Sequence, residues 1–284
     1  MSGIERNWPN LHINSVGADK LAGAGGQNVS EAEACPPIVL LHGWGRSSAM
    51  FGELSALLGD YQKVYLIDLP GHGQSALPEG VWGVADFANC LAKELKELGH
   101  SHYQLVGHSF GGKTAIKVSS LYPELVERLV LINSSGLRPE RSVRKKIYFW
   151  LLGRFRTLVK LVDRSFKKRN FEEWFVPRFA SVDYLNAGPL RATFVKSMNE
   201  ELSGDARAIK CPTLLLWGEK DTETPLYMGE KLKRLIDAAE LVVLKGKGHE
   251  PFSGPGAHLC MVHLKRFLEL DKDTECREGI ESLA

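Results

Sequence analysis

Short apolar runs recur along the chain at residues 37–41, 63–67, 103–106, 129–132, 213–217 and 241–244, most of them followed by Gly, Asn, Ser or Asp. Their apolar residues are consecutive, not alternating, which predicts strands buried on both faces of a parallel sheet. Between the runs the spacing changes. Residues 84–98 place apolar side chains at 84, 87, 88, 91, 95 and 98, and 113–121 and 226–236 behave similarly, so helices are predicted there. Strand, turn and helix in repetition predict an α/β fold with a doubly wound, mostly parallel sheet. A short strand near residues 11–16 and a glycine-rich loop over 17–36 precede the regular part.

The alternation breaks once. From Arg138 to about residue 201 no strand-like run occurs, and 147–162 reads as a helix rich in Tyr148, Phe149, Trp150, Phe155 and leucines. We therefore expect a core made of residues 1–136 and 206–284, with 137–205 as an inserted helical cap. Residues 138–170 hold twelve Lys or Arg against Glu140 and Asp163, whereas the whole chain is only +2. The simplest reading is an amphipathic cap helix whose aromatics roof a pocket while cations face water. Weak contact with an anionic membrane or lipid interface comes second, and an anionic substrate third. The small net charge gives no reason to expect nucleic-acid binding.

Composition narrows the class. With 284 residues, 44% hydrophobic and 25% charged, the chain is expected to bury a sizeable core, unlike disordered, collagen-like or disulfide-stapled sequences. Cys35, Cys90, Cys211, Cys260 and Cys276 form no close pair of the redox or zinc type. No metal or cofactor is expected, and a reduced, cytoplasmic setting fits. The polar N-terminal residues and the absence of an 18-residue apolar run predict a soluble protein.

The candidate chemistry follows the strands. Gly107-His108-Ser109-Phe110-Gly111-Gly112 lies between a predicted strand and a predicted helix. A turn that sharp needs glycines on both sides and lifts the Ser109 hydroxyl above the sheet. It also aims the Phe110 N–H and the positive end of the helix at that hydroxyl. Serine needs a neutral imidazole to take its proton, and His249 follows the 241–244 run on a glycine-flanked loop. The imidazole needs an anion behind it. Asp221, after the 213–217 run, is favoured, with Glu219 and Glu223 as neighbouring alternatives. His42-Gly43-Trp44-Gly45 follows the 37–41 run and can offer the Trp44 N–H beside that of Phe110 as an oxyanion hole.

These motifs, with Asp68-Leu69-Pro70-Gly71-His72-Gly73-Gln74-Ser75 and Tyr122-Pro123-Glu124, resemble the α/β-hydrolase superfamily across both halves of the core. The resemblance implies an eight-stranded sheet, a helical cap at the basic segment, and Ser109, Asp221 and His249 as nucleophile, acid and base. Relatives that are dehalogenases or epoxide hydrolases carry aspartate where this chain has Ser109. Ring-cleavage hydrolases often have tryptophan soon after the histidine, where Glu250-Pro251-Phe252 stands here. The expected activity is cleavage of a carboxylic ester, a small-molecule substrate, by a serine hydrolase. Thioester or carbon–carbon cleavage, lyase chemistry and non-catalytic ligand sensing remain the alternatives. Activity is expected to rise with pH through an apparent pKa of roughly 6 to 7.

Overall fold

A computed structural model describes residues 8–17, 36–140, 143–166 and 169–270. Most of the expected 17–36 loop, Cys35 and Cys276 lie outside the described residues. The strands are β1 (Ile13–Val16), β2 (Ile38–Leu41), β3 (Val64–Ile67), β4 (Tyr103–His108), β5 (Val126–Ile132), β6 (Thr213–Gly218) and β7 (Ala239–Leu244). They form one sheet in the order β1-β3-β2-β4-β5-β6-β7. The described sheet thus has seven strands, one fewer than the eight implied by resemblance. A single edge strand, β1, antiparallel to β3, precedes β2 among the described residues, and every other pairing is parallel.

The helices are α1 (Gly52–Gly59), α2 (Val84–Glu97), α3 (Phe110–Leu121), α4 (Val143–Phe166), α5 (Val176–Phe179), α6 (Val182–Asn186), α7 (Arg191–Asn199), α8 (Ser203–Ala208), α9 (Leu226–Leu235) and α10 (Gly256–Phe267). The consecutive apolar runs have the predicted cause. Val39, Leu41, Leu105, Leu131 and Leu215 enter one core with Phe87, Leu91, Ile116 and Leu232 from α2, α3 and α9. Ile38, Leu40, Val106, Val130 and Leu214 enter a second core with Leu54, Leu58 and Leu264 from α1 and α10. Successive strand residues point to opposite faces, and both faces are covered along the middle of the sheet; β7, expected to be buried on both faces, is instead an edge strand with Val243 40% exposed.

After β2 the chain moves outward to β3 and then returns across β2 to β4, so the order reverses beside β4. Open α/β sheets bind ligands outside the carboxyl ends of their strands at such a reversal. The turns after β2, β4, β6 and β7 end there.

Helices α4 to α8 occupy the connection between β5 and β6. Its later part is tied to the core: Lys113 Nζ on α3 donates to the Ser197 and Glu200 carbonyls at 2.6 and 2.7 Å, and Lys117, one turn on, pairs with Asp205 at 2.6 Å. The earlier part packs largely on itself, with the Phe155 ring 5.8 Å from Phe175 and 6.0 Å from Trp174. No helix among the described residues is long and apolar enough to cross a membrane.

Candidate active site

Ser109 links β4 to α3 with φ 51° and ψ −112°, a region non-glycine residues rarely occupy and that costs about 1–3 kcal/mol. Packing enforces it. A Cβ on Gly107 would lie 2.6 Å from the Gly112 nitrogen, and one on Gly111 would lie 2.1 Å from the Leu41 carbonyl oxygen. Only glycine lets α3 press this closely on the sheet. The Ser109 N–H donates to Ile132 O at 3.1 Å, and its carbonyl accepts from the Ser135 N–H at 3.0 Å. Phe110 is the first residue of α3, so its N–H has no carbonyl within the helix to bond.

The turn after β2 is held by His42, which is buried. Its Nδ1 lies 2.8 Å from Gly43 O, and the Leu69 N–H donates to Nε2 at 2.9 Å. That pattern requires a neutral ring carrying its proton on Nδ1. Burial pushes the His42 pKa down to about 4. The turn's Trp44 ring stands edge-on to Phe110 at 5.0 Å and against His72 at 4.7 Å. Asp68 shapes the next turn, accepting from the Ser48 N–H at 2.7 Å and the Gln74 N–H at 2.9 Å. A Cβ on Gly73 would collide with that carboxylate, which explains the glycine in the 68–75 motif.

On the opposite rim, His249 Nδ1 lies 2.8 Å from Asp221 Oδ2. Asp221 is itself fixed: Oδ1 accepts from the N–H groups of Glu223 and Thr224 at 2.8 and 3.0 Å, and Oδ2 from the Thr224 hydroxyl at 2.7 Å. Burial raises the Asp221 pKa, but the bonds from His249 and Thr224 outweigh it and leave it below the ordinary carboxylate value. Burial likewise pulls His249 down, yet the bond and charge of Asp221, joined by Glu223 and Glu250, carry its pKa above 6.5. Of the three acids the sequence left open, Asp221 is the one bonded to Nδ1. Glu219 accepts from the Gly246 N–H instead, and Glu223 lies 3.3 Å from His249 Nε2.

Trp44, Ser109, Glu223 and His249 line one cavity of about 560 Å³, whose wall also includes residues of α6 and the stretch leading to α7. No hydrogen bond joins the Ser109 hydroxyl to His249 among the described residues. Catalytic hydrogen bonds often tighten only around substrate. Phe252, where a tryptophan would favour ring cleavage, is buried against Phe51 and His108. Among the described residues no group of three or more His, Cys, Asp or Glu is placed to hold a metal ion.

Sequence reasoning missed two residues here. Asn133, fully buried at the end of β5 with φ 43°, donates from Nδ2 to Gly248 O and His249 O at 2.8 and 2.9 Å and accepts from the Gly218 N–H at 2.7 Å. One amide thus ties the imidazole loop to the end of the strand that precedes Asp221. An Asn closing an apolar strand run was the available signal, because Asn tolerates positive φ. His108 is the second. It is buried beside Ser109, with Nε2 2.9 Å from the His249 carbonyl, and burial followed by the nearby His249 takes its pKa down to about 3.

The comparisons with known proteins agree with this architecture. The chain is 30% identical over 243 residues to a pimeloyl-[acyl-carrier protein] methyl ester esterase of Chromobacterium violaceum, covering 76% of this chain and 88% of that one. A hydrolase structure from Pseudomonas aeruginosa superposes with a TM-score of 0.65 at 23% identity, covering 92% of this chain and 94% of that one. An enol-lactonase from Burkholderia xenovorans also gives a TM-score of 0.65, at 21% identity over 92% of this chain and 97% of its own. Residues 36–254 match the family profile of the alpha/beta hydrolase fold, and with the serine elbow and the β order this places the chain in that family.

Proposed function

We propose that this chain is a serine hydrolase that cleaves a carboxylic ester through an acyl-enzyme intermediate. The observation that carries the reading is the Asp221–His249 hydrogen bond of 2.8 Å on the rim of the cavity that Ser109 enters from a strained elbow. The relative from Chromobacterium violaceum, named as a methyl ester esterase, supports an ester as substrate. Residues 137–205 act as the cap over a core made of 1–136 and 206–284.

In this mechanism the Ser109 oxygen attacks the ester carbonyl as neutral His249 takes its proton at Nε2. Asp221 holds the Nδ1 proton and stabilises the imidazolium that forms. The N–H groups of Trp44 and Phe110 receive the charge that develops on the carbonyl oxygen, worth about 3–4 kcal/mol per donor in comparable sites. His249 returns the proton to the departing alcohol. Water then attacks the acyl-serine by the same route, releasing the acid and restoring the hydroxyl. Nε2 must leave Glu223 to act, because the carboxylate 3.3 Å away favours the charged ring.

The test is hydrolysis of a p-nitrophenyl ester series run beside a vinylogous diketone, with fluorophosphonate labelling in parallel. Ester turnover and labelling, both abolished in Ser109→Ala, are expected. Asp221→Asn should lower kcat by about 10⁴-fold, since the ring then loses its fixed tautomer. Labelling elsewhere than Ser109, or faster cleavage of the diketone than of any ester, overturns the reading.

A further inference from the structure

Helix α4 exposes an apolar surface that the proposed chemistry does not use. Ile147, Trp150, Leu151, Leu158 and Leu161 are all exposed, Trp150 at 62%. Their spacing follows the helical repeat, so at 100° per residue they share one stripe. Phe155 lies on the flank that meets Trp174, Phe175 and Phe179, and Val159 is buried on the same flank. Among the described residues nothing covers the stripe. Beside it Arg156, Lys160 and Arg164 recur every four residues and are exposed, the Lys160 ammonium lying 4.2 Å from the centre of the Phe171 ring. Arg154 rises within the stripe, its guanidinium 5.7 Å from the Trp150 ring.

Each candidate occupant makes a different demand on this surface. A second copy docked stripe to stripe would bring two rows of cations together, from a helix with seven Lys or Arg and one acid, Asp163. An acidic protein would satisfy the cations but would need an apolar ridge matched to Trp150, Leu158 and Leu161. An anionic lipid surface supplies acyl chains for the stripe and headgroup charge for the cations in one plane. Aromatic rings with Arg close by suit that boundary. The apolar surface also continues toward the cavity. Phe155 meets Phe179, and three residues further Val182, 69% exposed, lines the cavity mouth with Leu77.

From this geometry we propose that α4 lies on an anionic lipid surface, with Ile147, Trp150, Leu151, Leu158 and Leu161 inserted and Arg156, Lys160 and Arg164 on the headgroups. The docking does not depend on the ester reading, although it turns the cavity mouth toward lipid.

The test is cosedimentation of the full chain with vesicles of phosphatidylcholine alone and with about 30% phosphatidylglycerol added. Anionic vesicles should bind at least about tenfold better, and about 0.5 M salt should remove most of that binding. Trp150→Ser with Leu158→Ser, and separately Arg156→Gln with Lys160→Gln and Arg164→Gln, should each weaken binding while leaving the melting temperature and ester turnover unchanged. Either variant found unfolded is replaced by a single substitution, Trp150→Ser or Arg156→Gln, expected to act in the same direction. Absent binding, or equal binding to both vesicle types, overturns the proposal. So does anionic binding that the apolar variant leaves intact, because charge alone then accounts for it. Light scattering that shows a dimer dissolved by the apolar variant gives the surface to a second copy. Retention on an acidic protein with no vesicle binding gives it to a protein partner.

Discussion

Asn133 carries no proton in the proposed reaction, yet it bonds the loops on both sides of the acid–base pair. Asn133→Ala removes the acceptor for the Gly218 N–H and the donors for the Gly248 and His249 carbonyls. The His249 carbonyl keeps His108 Nε2, but the buried Gly218 N–H is left unpaired, at about 1–3 kcal/mol, so a lower melting temperature is expected. The misplaced imidazole should cut kcat by about 10- to 100-fold with a smaller change in KM. Asn133→Asp keeps the acceptor and loses the donors, and kcat should fall between the two. Equal kcat in wild type and Asn133→Ala would show that the loop holds its position without this residue. Glu223 supports a prediction of a different kind. Its charge helps hold His249 above the ordinary 6.5, against the burial that pulls it down. Only the neutral ring accepts the serine proton, so the rising limb of kcat/KM should lie above pH 6.5. Glu223→Gln should move that limb to lower pH, and a limb that stays fixed would remove Glu223 from the account.

The strands were legible as elements because burial on both faces leaves little choice of residue: 37–41, 103–106 and 213–217 all became buried strands within one or two residues of their expected ends. Helix α3 was legible only from Lys113, yet it begins at Phe110, since Phe110, Gly111 and Gly112 are dictated by backbone approach and not by helical periodicity. Helix α4 runs over Val143–Phe166, longer at both ends than the 147–162 expected, because its cationic turns carry no apolar signal. The serine, the histidine and the preferred acid were readable because the proposed chemistry needs those residue types at strand ends. Asn133 and His108 were not, because each acts through backbone carbonyls that sequence does not reveal. The joint between α3 and α7 was equally hidden. Lys113 looked like one more helix residue, but it is buried, its ammonium fills the space between the Ser197 and Glu200 carbonyls, and burial pushes its pKa down to about 8. Lys113→Met should keep the packing volume, leave the Glu200 carbonyl unpaired and leave the Ser197 carbonyl only the Glu200 N–H at 3.3 Å, at a cost of about 1–3 kcal/mol. Limited proteolysis should then cut faster within residues 137–205 than in wild type; an unchanged cleavage rate would place the hold elsewhere, for example in the Lys117–Asp205 pair.

At the scale of the whole molecule, the same buried histidines that shape the turns make the fold sensitive to acid. An unfolded chain takes up protons at its histidines as pH falls below 6.5. The native chain keeps His42 neutral down to about 4 and His108 down to about 3, in both cases chiefly because burial disfavours the charge. His72 is lowered for the same leading reason. The unfolded state therefore binds more protons throughout that window, and native stability must fall as pH drops from about 6.5 toward 4. His249 works in the opposite sense. Its raised value makes its contribution complete below 6.5 and lost as pH climbs through the native value, so it flattens the upper edge of the curve. Asp68 and Asp221 are held below the ordinary 3.8, and their contributions vanish only at still lower pH, after the histidines have acted. Melting temperatures measured at intervals from pH 8 to pH 4 should thus decline most steeply between 6.5 and 4. His108→Gln retains an N–H donor for the His249 carbonyl without a titrating ring, and should make the decline shallower. A curve that is flat across this window, or identical in His108→Gln, would mean that the buried rings accept protons without penalty, and the neutral His42 that fixes the turn before Trp44 would lose its physical basis.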